Sequence, residues 1–177
     1  MKVYLKNIVN FFVSIFIKLL SFNNTGRYLK DLLLEKISNT HYKIVHNKVK
    51  LFFYTPNRLC YWRVKTFSTK EPETLEWIDS FKNNTIFWDV GANVGIYSCY
   101  AGKKKKIKVY AFESSVFNLE CLVKNIDINN LNEEITIFPL PLTNCVKETD
   151  FNLSSTDSGS AMASFGVSYK SDGSDLN

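Results

Sequence analysis

Between Met1 and Phe22 polar side chains recur every four residues, at Lys6, Asn10, Ser14 and Lys18, while Leu5, Ile8, Val9, Phe12, Ile15, Phe16, Leu19 and Leu20 cover the rest of the cylinder. That spacing predicts an apolar helix with one narrow polar stripe. Eleven residues separate Lys6 from Lys18, fewer than a bilayer requires, and no small-x-small cleavage site follows. The segment is therefore expected to lie in a membrane interface with its lysines toward headgroups, or to pack on the rest of the protein or a second copy. Tyr28, Leu29, Leu32 and Leu33 repeat at helical spacing after Asn24-Thr25-Gly26, which reads as a break and cap and predicts a helix over 23–36. Residues 42–49 and 50–54 read as strands, Thr55-Pro56-Asn57 as a turn, and 59–64 as a third strand, together a small β flap. Ser68 and Glu71 have the spacing of a capping box, Glu71-Pro72 reads as a helix start, and Leu75, Ile78 and Phe81 share one helical face.

The run that organises the remainder is Ile86-Phe87-Trp88-Asp89-Val90-Gly91-Ala92-Asn93-Val94-Gly95-Ile96-Tyr97-Ser98, an apolar strand ending in a carboxylate and turning through two glycines into a helix. In open α/β sheets ligands bind beyond the carboxyl ends of the strands, so this turn is the expected site. A dinucleotide fingerprint would need glycine at Asn93 and Ile96, and a phosphate-gripping P-loop would need a lysine that the turn lacks; both are excluded. Lys103–Lys106 form a basic run, and Ile107-Lys108-Val109-Tyr110-Ala111-Phe112-Glu113 is a second strand ending in a carboxylate, eighteen residues after Gly95. That offset lets an acid at the end of the second strand reach ribose hydroxyls. Ser114 or Ser115 can cap a helix that buries Leu119, Leu122, Val123 and Ile126, pairs Glu120 with Lys124, and stops at Asn129-Asn130. A third strand, 135–140, carries Pro139 and so belongs at a sheet edge. Strands alternating with helices make a parallel α/β half-sheet.

Composition adds three constraints. With 177 residues, 45% apolar and 15% aromatic, the chain can bury a core and is not disordered. Cys60, Cys99, Cys121 and Cys145 lack any Cys-x-x-Cys spacing, and His41 and His46 are too few for zinc, so no metal or disulfide framework is expected, in keeping with a reducing, cytoplasmic compartment. The net charge of +5 divides unevenly: up to Lys70 there are thirteen Lys/Arg against two acids, and from Glu71 on nine against fifteen. A basic front half can attract anionic lipid, an acidic glycan or nucleic acid, or dock on the acidic half.

Asp-Val-Gly-Ala-Asn-Val-Gly-Ile-Tyr-Ser from Asp89, Val-Tyr-Ala-Phe-Glu-Ser from Val109, and Asn-Leu-Glu-Cys-Leu-Val-Lys-Asn-Ile-Asp-Ile-Asn-Asn-Leu from Asn118 resemble the FkbM family of class I S-adenosylmethionine-dependent methyltransferases, over about Glu71 to Asn144. The resemblance implies the Rossmann-like class I sheet and O-methylation of a hydroxyl on a glycan, lipid-linked sugar or small metabolite. It also implies that Asp89, Gly91, Asn93 and Gly95 cradle the methionine end of S-adenosylmethionine and Glu113 holds its ribose, with Ser114 where the family has proline. Thr143 and Asn144 would lie near the adenine.

On this reading the chain divides into an apolar helix (1–22), a basic helix with β flap (23–70), a cofactor-binding half (71–150) and a hairpin or flexible tail (151–177) built on Phe151, Leu153, Met162, Phe165, Val167 and Tyr169. The family's sheet has seven strands, so a truncated domain is expected, with an unpaired apolar edge on the first strand favouring aggregation or pairing. No general base is assigned; Glu71 and Glu73 read as helix N-terminal acids. Two alternatives stand beside O-methylation: a non-catalytic cofactor-binding or membrane-associated remnant, at the inner face of the membrane through 1–22, and a nucleic-acid methyltransferase. The last is disfavoured because no Asn/Asp-Pro-Pro-aromatic motif is present.

Overall fold

The computed structural model describes residues 2–146, 148–161, 163–167, 169 and 174. The chain forms two units, 1–40 and 41–177. In the first, α1 (Lys2–Leu20) and α2 (Asn24–Ser38) are joined by a tight turn. Asn23, one residue earlier than expected, caps α2 by accepting a hydrogen bond from the Gly26 amide at 2.7 Å. Gly26 is required there, because a Cβ would lie 2.2 Å from the Leu20 carbonyl oxygen. Val3–Leu20 is long and apolar enough to cross a membrane by length and composition, and none of it is buried. This corrects the eleven-residue count: eighteen helical residues extend about 27 Å, and lysine stems can cover apolar surface while their ammonium groups reach water.

The second unit opens with an antiparallel hairpin, β1 (His41–His46) and β2 (Val49–Tyr54). Its turn is Asn47-Lys48, both at positive φ, so β1 ends three residues earlier than the sequence pattern indicates. Leu51 and Phe53 alternate into the core. The third flap strand is absent: α3 (Arg58–Lys65) occupies that stretch. Asn57 accepts from the Cys60 amide as an N-cap, and Cys60 and Val64, four residues apart, form the buried face. A local cap and helical spacing thus override the β-branched and aromatic content. The capping box does not form either. Ser68, in the short α4 (Phe67–Lys70), bonds to His46, and Glu71 makes no side-chain cap to α5 (Pro72–Asp79), where Pro72 alone marks the start.

The main sheet is parallel, in the order β3 (Ile86–Val90), β4 (Lys108–Phe112), β5 (Ile135–Phe138). The α/β half-sheet is therefore as expected, with β5 at one edge and β3 at the other. Phe87, Val109, Ala111 and Ile135 are buried, whereas Ile86, Trp88 and Val90 alternate onto the exposed face. There Trp88 lies 5.3 Å from Phe112, which stacks on Phe138 at 4.8 Å.

Two helices complete the core: α6 (Ile96–Lys105), whose last turn holds three of the four lysines, and α7 (Val116–Ile128). The buried face of α7 carries Asn118, Leu122, Asn125 and Ile126, while Val123 is exposed, contrary to expectation. The asparagines satisfy backbone groups that would otherwise be orphaned. Asn129 bonds the amide and carbonyl of Phe52, and Asn125 accepts from the Tyr54 amide at 2.7 Å and donates to the Val94 carbonyl at 2.7 Å. The outer edge of β2 is thereby closed, and the hairpin is tied to the glycine turn. In the tail, β6 (Phe151–Asn152) pairs with β7 (Ser164–Phe165), the expected hairpin in reduced form. Met162, expected to contribute to it, lies outside the described residues.

Candidate functional site

The parallel register places Asp89 opposite Ala111 and Val90 opposite Phe112, so Asp89 and Glu113 come from the carboxyl ends of adjacent strands. Between them the turn makes three left-handed steps: Gly91 (φ 78°), Asn93 (φ 53°) and Gly95 (φ 77°). Glycine meets different needs at its two positions. A Cβ on Gly91 would touch nothing within 4 Å, so only its dihedral matters; on Gly95 it would lie 2.3 Å from Leu122 Cδ1. The amides of Gly91 and Ala92 both reach the Phe112 carbonyl at 2.9 Å, which anchors the turn to β4.

Glu113, only 8% exposed, is held by backbone. One carboxylate oxygen accepts from the Asn93 amide at 2.8 Å, the other from the Ser115 amide at 2.7 Å. Neither Ser114 nor Ser115 supplies the expected side-chain cap to α7; Glu113 fixes the residue ahead of the helix instead, and the Ser115 hydroxyl, though buried, has no partner among the described residues. Asp89 instead accepts from the Ser98 hydroxyl at 2.5 Å. Burial pushes its carboxyl above the usual range; the Ser98 bond opposes that shift, and the charges of Glu113 and Glu71 add to it.

A cleft of about 460 Å³ opens on this turn. Asp89, Gly91 and Asn93 line one side, with Arg63, Lys70, Glu71, Thr74, Trp77, Trp88, Tyr97 and Ala161 around the remainder. Lys70 contacts Glu71 at 2.5 Å and holds the Glu71 carboxyl below its ordinary value. The Tyr97 hydroxyl is buried without a hydrogen-bond partner among the described residues; burial first, and the Glu71 charge second, hold its proton on. Burial lowers the Arg63 guanidinium, countered by Cys60, Glu71, Tyr97 and Glu113.

A strap from the tail, 158–160, crosses beside the turn. Asn93 and Asn118 both donate to the Ser160 carbonyl, at 2.6 and 3.1 Å, and Asn118 accepts from the Gly159 amide at 2.8 Å. Asn57 donates to the Ser158 carbonyl at 2.8 Å, and Arg63 Nε to that of Gly159 at 2.5 Å.

The structure therefore brings together Asp89, Gly91, Asn93, Gly95 and Glu113. Ser114 borders a second cavity of about 210 Å³, shared with Gly91, Glu113 and Leu140. Thr143 and Asn144 line a third, whose wall includes Leu140, Pro141 and Leu142, and do not line the main cleft. The sequence reading missed Arg63 and Tyr97 as cleft residues. Arg63 was hidden by reading 59–64 as a strand; the Asn57 cap followed by Cys60 and Val64 was the available signal. No group of His, Cys, Asp or Glu among the described residues could hold a metal ion.

No known family profile and no curated protein matches the chain. Among solved structures it is similar to TYW2 of P. horikoshii in complex with MeSAdo (19% identity, TM-score 0.42, 59% of this chain and 37% of that one). It is also similar to the M. jannaschii tRNA m1G37 methyltransferase (27% identity, TM-score 0.37, 55% and 28%). A third is the Pyrococcus abyssi tRNA (uracil-54, C5)-methyltransferase in complex with S-adenosyl-L-homocysteine (16% identity, TM-score 0.35, 55% and 23%). The chain spans little more than a third of the length of TYW2 and less of the other two.

Proposed function

We propose that this chain is the cofactor-binding part of an S-adenosylmethionine-dependent methyltransferase related to the FkbM family, acting on a hydroxyl of a glycan, lipid-linked sugar or small metabolite. The observation that carries the reading is the pair of carboxylates at adjacent strand tips, Asp89 and Glu113, flanking a turn whose three left-handed residues open a cleft. Each Glu113 oxygen holds one backbone amide and retains a second acceptor position, enough for ribose hydroxyls. Asp89 and Glu71 offer negative charge to the amino end of the same ligand. The donor group fits this lining, which sets two acids, Asp89 and Glu71, beside two cations, Arg63 and Lys70, and so suits a zwitterionic amino-acid end. When bound, S-adenosylmethionine supplies a sulfonium methyl already activated for transfer to an attacking oxygen. The chain's part is then to orient: Asp89, Gly91 and Asn93 line the cleft and, with Gly95 shaping the turn, fix one end, Glu113 in the adjoining cavity fixes the other, and Trp77 and Trp88 limit water at the cleft wall. Orientation of this kind is worth several kcal/mol, about 7–11 at the upper end.

Titration calorimetry with S-adenosylmethionine tests this reading. Binding is expected in the wild type, weaker by roughly 10-fold or more in Asp89→Asn and Glu113→Gln, since each loses a charge-assisted contact. A wild type that takes up no heat, or variants with unchanged affinity, would overturn it. Nucleic acid is a second reading, favoured by the thirteen basic residues up to Lys70. Against it, Lys103 donates to the Asn129 carbonyl and Lys104 lies 3.9 Å from Asp79, so part of the lysine run is engaged. Salt-sensitive retention on heparin with protection of RNA would favour it. The exposed apolar surface of α1 supports peripheral membrane contact.

A further inference from the structure

Arg63 is the most unusual charge in the cleft. It stands in the last turn of α3, half-buried, and its Nε is committed to the Gly159 carbonyl at 2.5 Å. Its two terminal nitrogens make no ion pair and no other hydrogen bond among the described residues. The other cation of the cleft, Lys70, is already paired with Glu71. A guanidinium fixed by one nitrogen presents the remaining donors as a planar fork, the geometry that matches a carboxylate. The buried Tyr97 hydroxyl lines the same cleft beside Glu71, close enough for that carboxylate to act on its proton. Guanidinium donors left unsatisfied and partly removed from water are costly unless a ligand completes them.

We propose that Arg63, with Tyr97 in the same cleft, binds the carboxylate of the ligand's amino-acid end, while the acids of that cleft, Asp89 and Glu71, meet its ammonium group. The inference rests on the S-adenosylmethionine reading and adds to it a residue outside the glycine turn and its partner strand. It also gives the strap a role: the Gly159 carbonyl holds the fork in position, so Arg63 is oriented by a segment nearly a hundred residues later in the chain.

The test compares two ligands on the full chain. S-Adenosylhomocysteine carries the amino-acid carboxylate; 5′-methylthioadenosine has the same nucleoside and sulfur without it. Arg63→Gln is expected to weaken S-adenosylhomocysteine roughly 10- to 100-fold and leave methylthioadenosine within about twofold, with Arg63→Lys between wild type and Arg63→Gln. Equal weakening of both ligands would mean that Arg63 acts only by holding the strap, and no weakening would mean that it meets no ligand; either overturns the proposal. If Arg63→Gln does not fold, Arg63→Lys and a decarboxylated S-adenosylhomocysteine carry the test. Removing the carboxylate must cost the wild type at least tenfold and the lysine variant distinctly less, and equal costs would overturn the proposal. Wild type that binds neither nucleoside would sink the cofactor reading itself, a result separate from any of these.

Discussion

Asp89 and Glu113 end neighbouring strands of one sheet, and their surroundings are opposite in kind. Glu113 is enclosed by backbone amides from Asn93 and Ser115, which stabilise its charge and knit two turns together. Among the described residues Asp89 is held by Ser98, through its hydroxyl and its backbone, and burial raises its carboxyl against ionisation. The same chemical group thus serves as a structural staple at one strand tip and as an incompletely satisfied charge at the next. Buried charge without full compensation is costly to stability and is found where a ligand completes it.

The largest test of this contrast is Glu113→Ala. Removing an acceptor shared by two amides, one buried and one partly so, should cost about 3–5 kcal/mol, read as a lower denaturant midpoint with an unchanged slope; a loss below 1 kcal/mol would deny the staple. Next come the glycines. Gly95→Ala combines positive φ with a clash against Leu122 and should cost about 2–4 kcal/mol, whereas Gly91→Ala carries only the dihedral penalty, about 1–2 kcal/mol. Equal losses would show that Leu122 gives way freely.

The smallest effect, and the opposite in sign, is expected of Asp89→Asn. The native state keeps a proton on Asp89 that the unfolded chain has released between the ordinary and the raised value. Wild-type stability therefore falls as pH rises through that window and stays lower above it. Asn removes the charge and keeps an oxygen for Ser98, so the variant should be more stable than wild type at pH 7, on the order of 1 kcal/mol. The gap should close as the pH drops below the ordinary aspartate range. Thermal melts across pH check it, and a variant less stable at pH 7 would contradict the assignment.

Much of this site was legible in the chain, because its parts are local. Asp89, Gly91, Asn93 and Gly95 lie within seven residues, and Glu113 follows at an offset set by one helix and one strand. The parts that escaped depend on long-range contacts. Arg63 enters the cleft through a helix whose composition resembles a strand, and the strap at 158–160 binds asparagines at 57, 93 and 118 that no periodicity connects. Val123 was misplaced for a related reason: apolar pattern assigns hydrophobes to the buried face, while α7 turns Asn118 and Asn125 inward to serve backbone groups of other elements. Thr143 and Asn144 were placed by resemblance, and a loop after β5 has no pattern of its own to position it.

Asn125 couples two parts of the fold that share no strand pairing. One amide side chain receives the Tyr54 N–H of the hairpin and donates to the Val94 carbonyl of the glycine turn. Displacement of either by more than a fraction of an ångström strips a hydrogen bond from the other in a place without water to replace it. The hairpin is therefore ballast for the turn: none of its residues lines the cleft, yet a single amide side chain fixes its position to that of the residues that do.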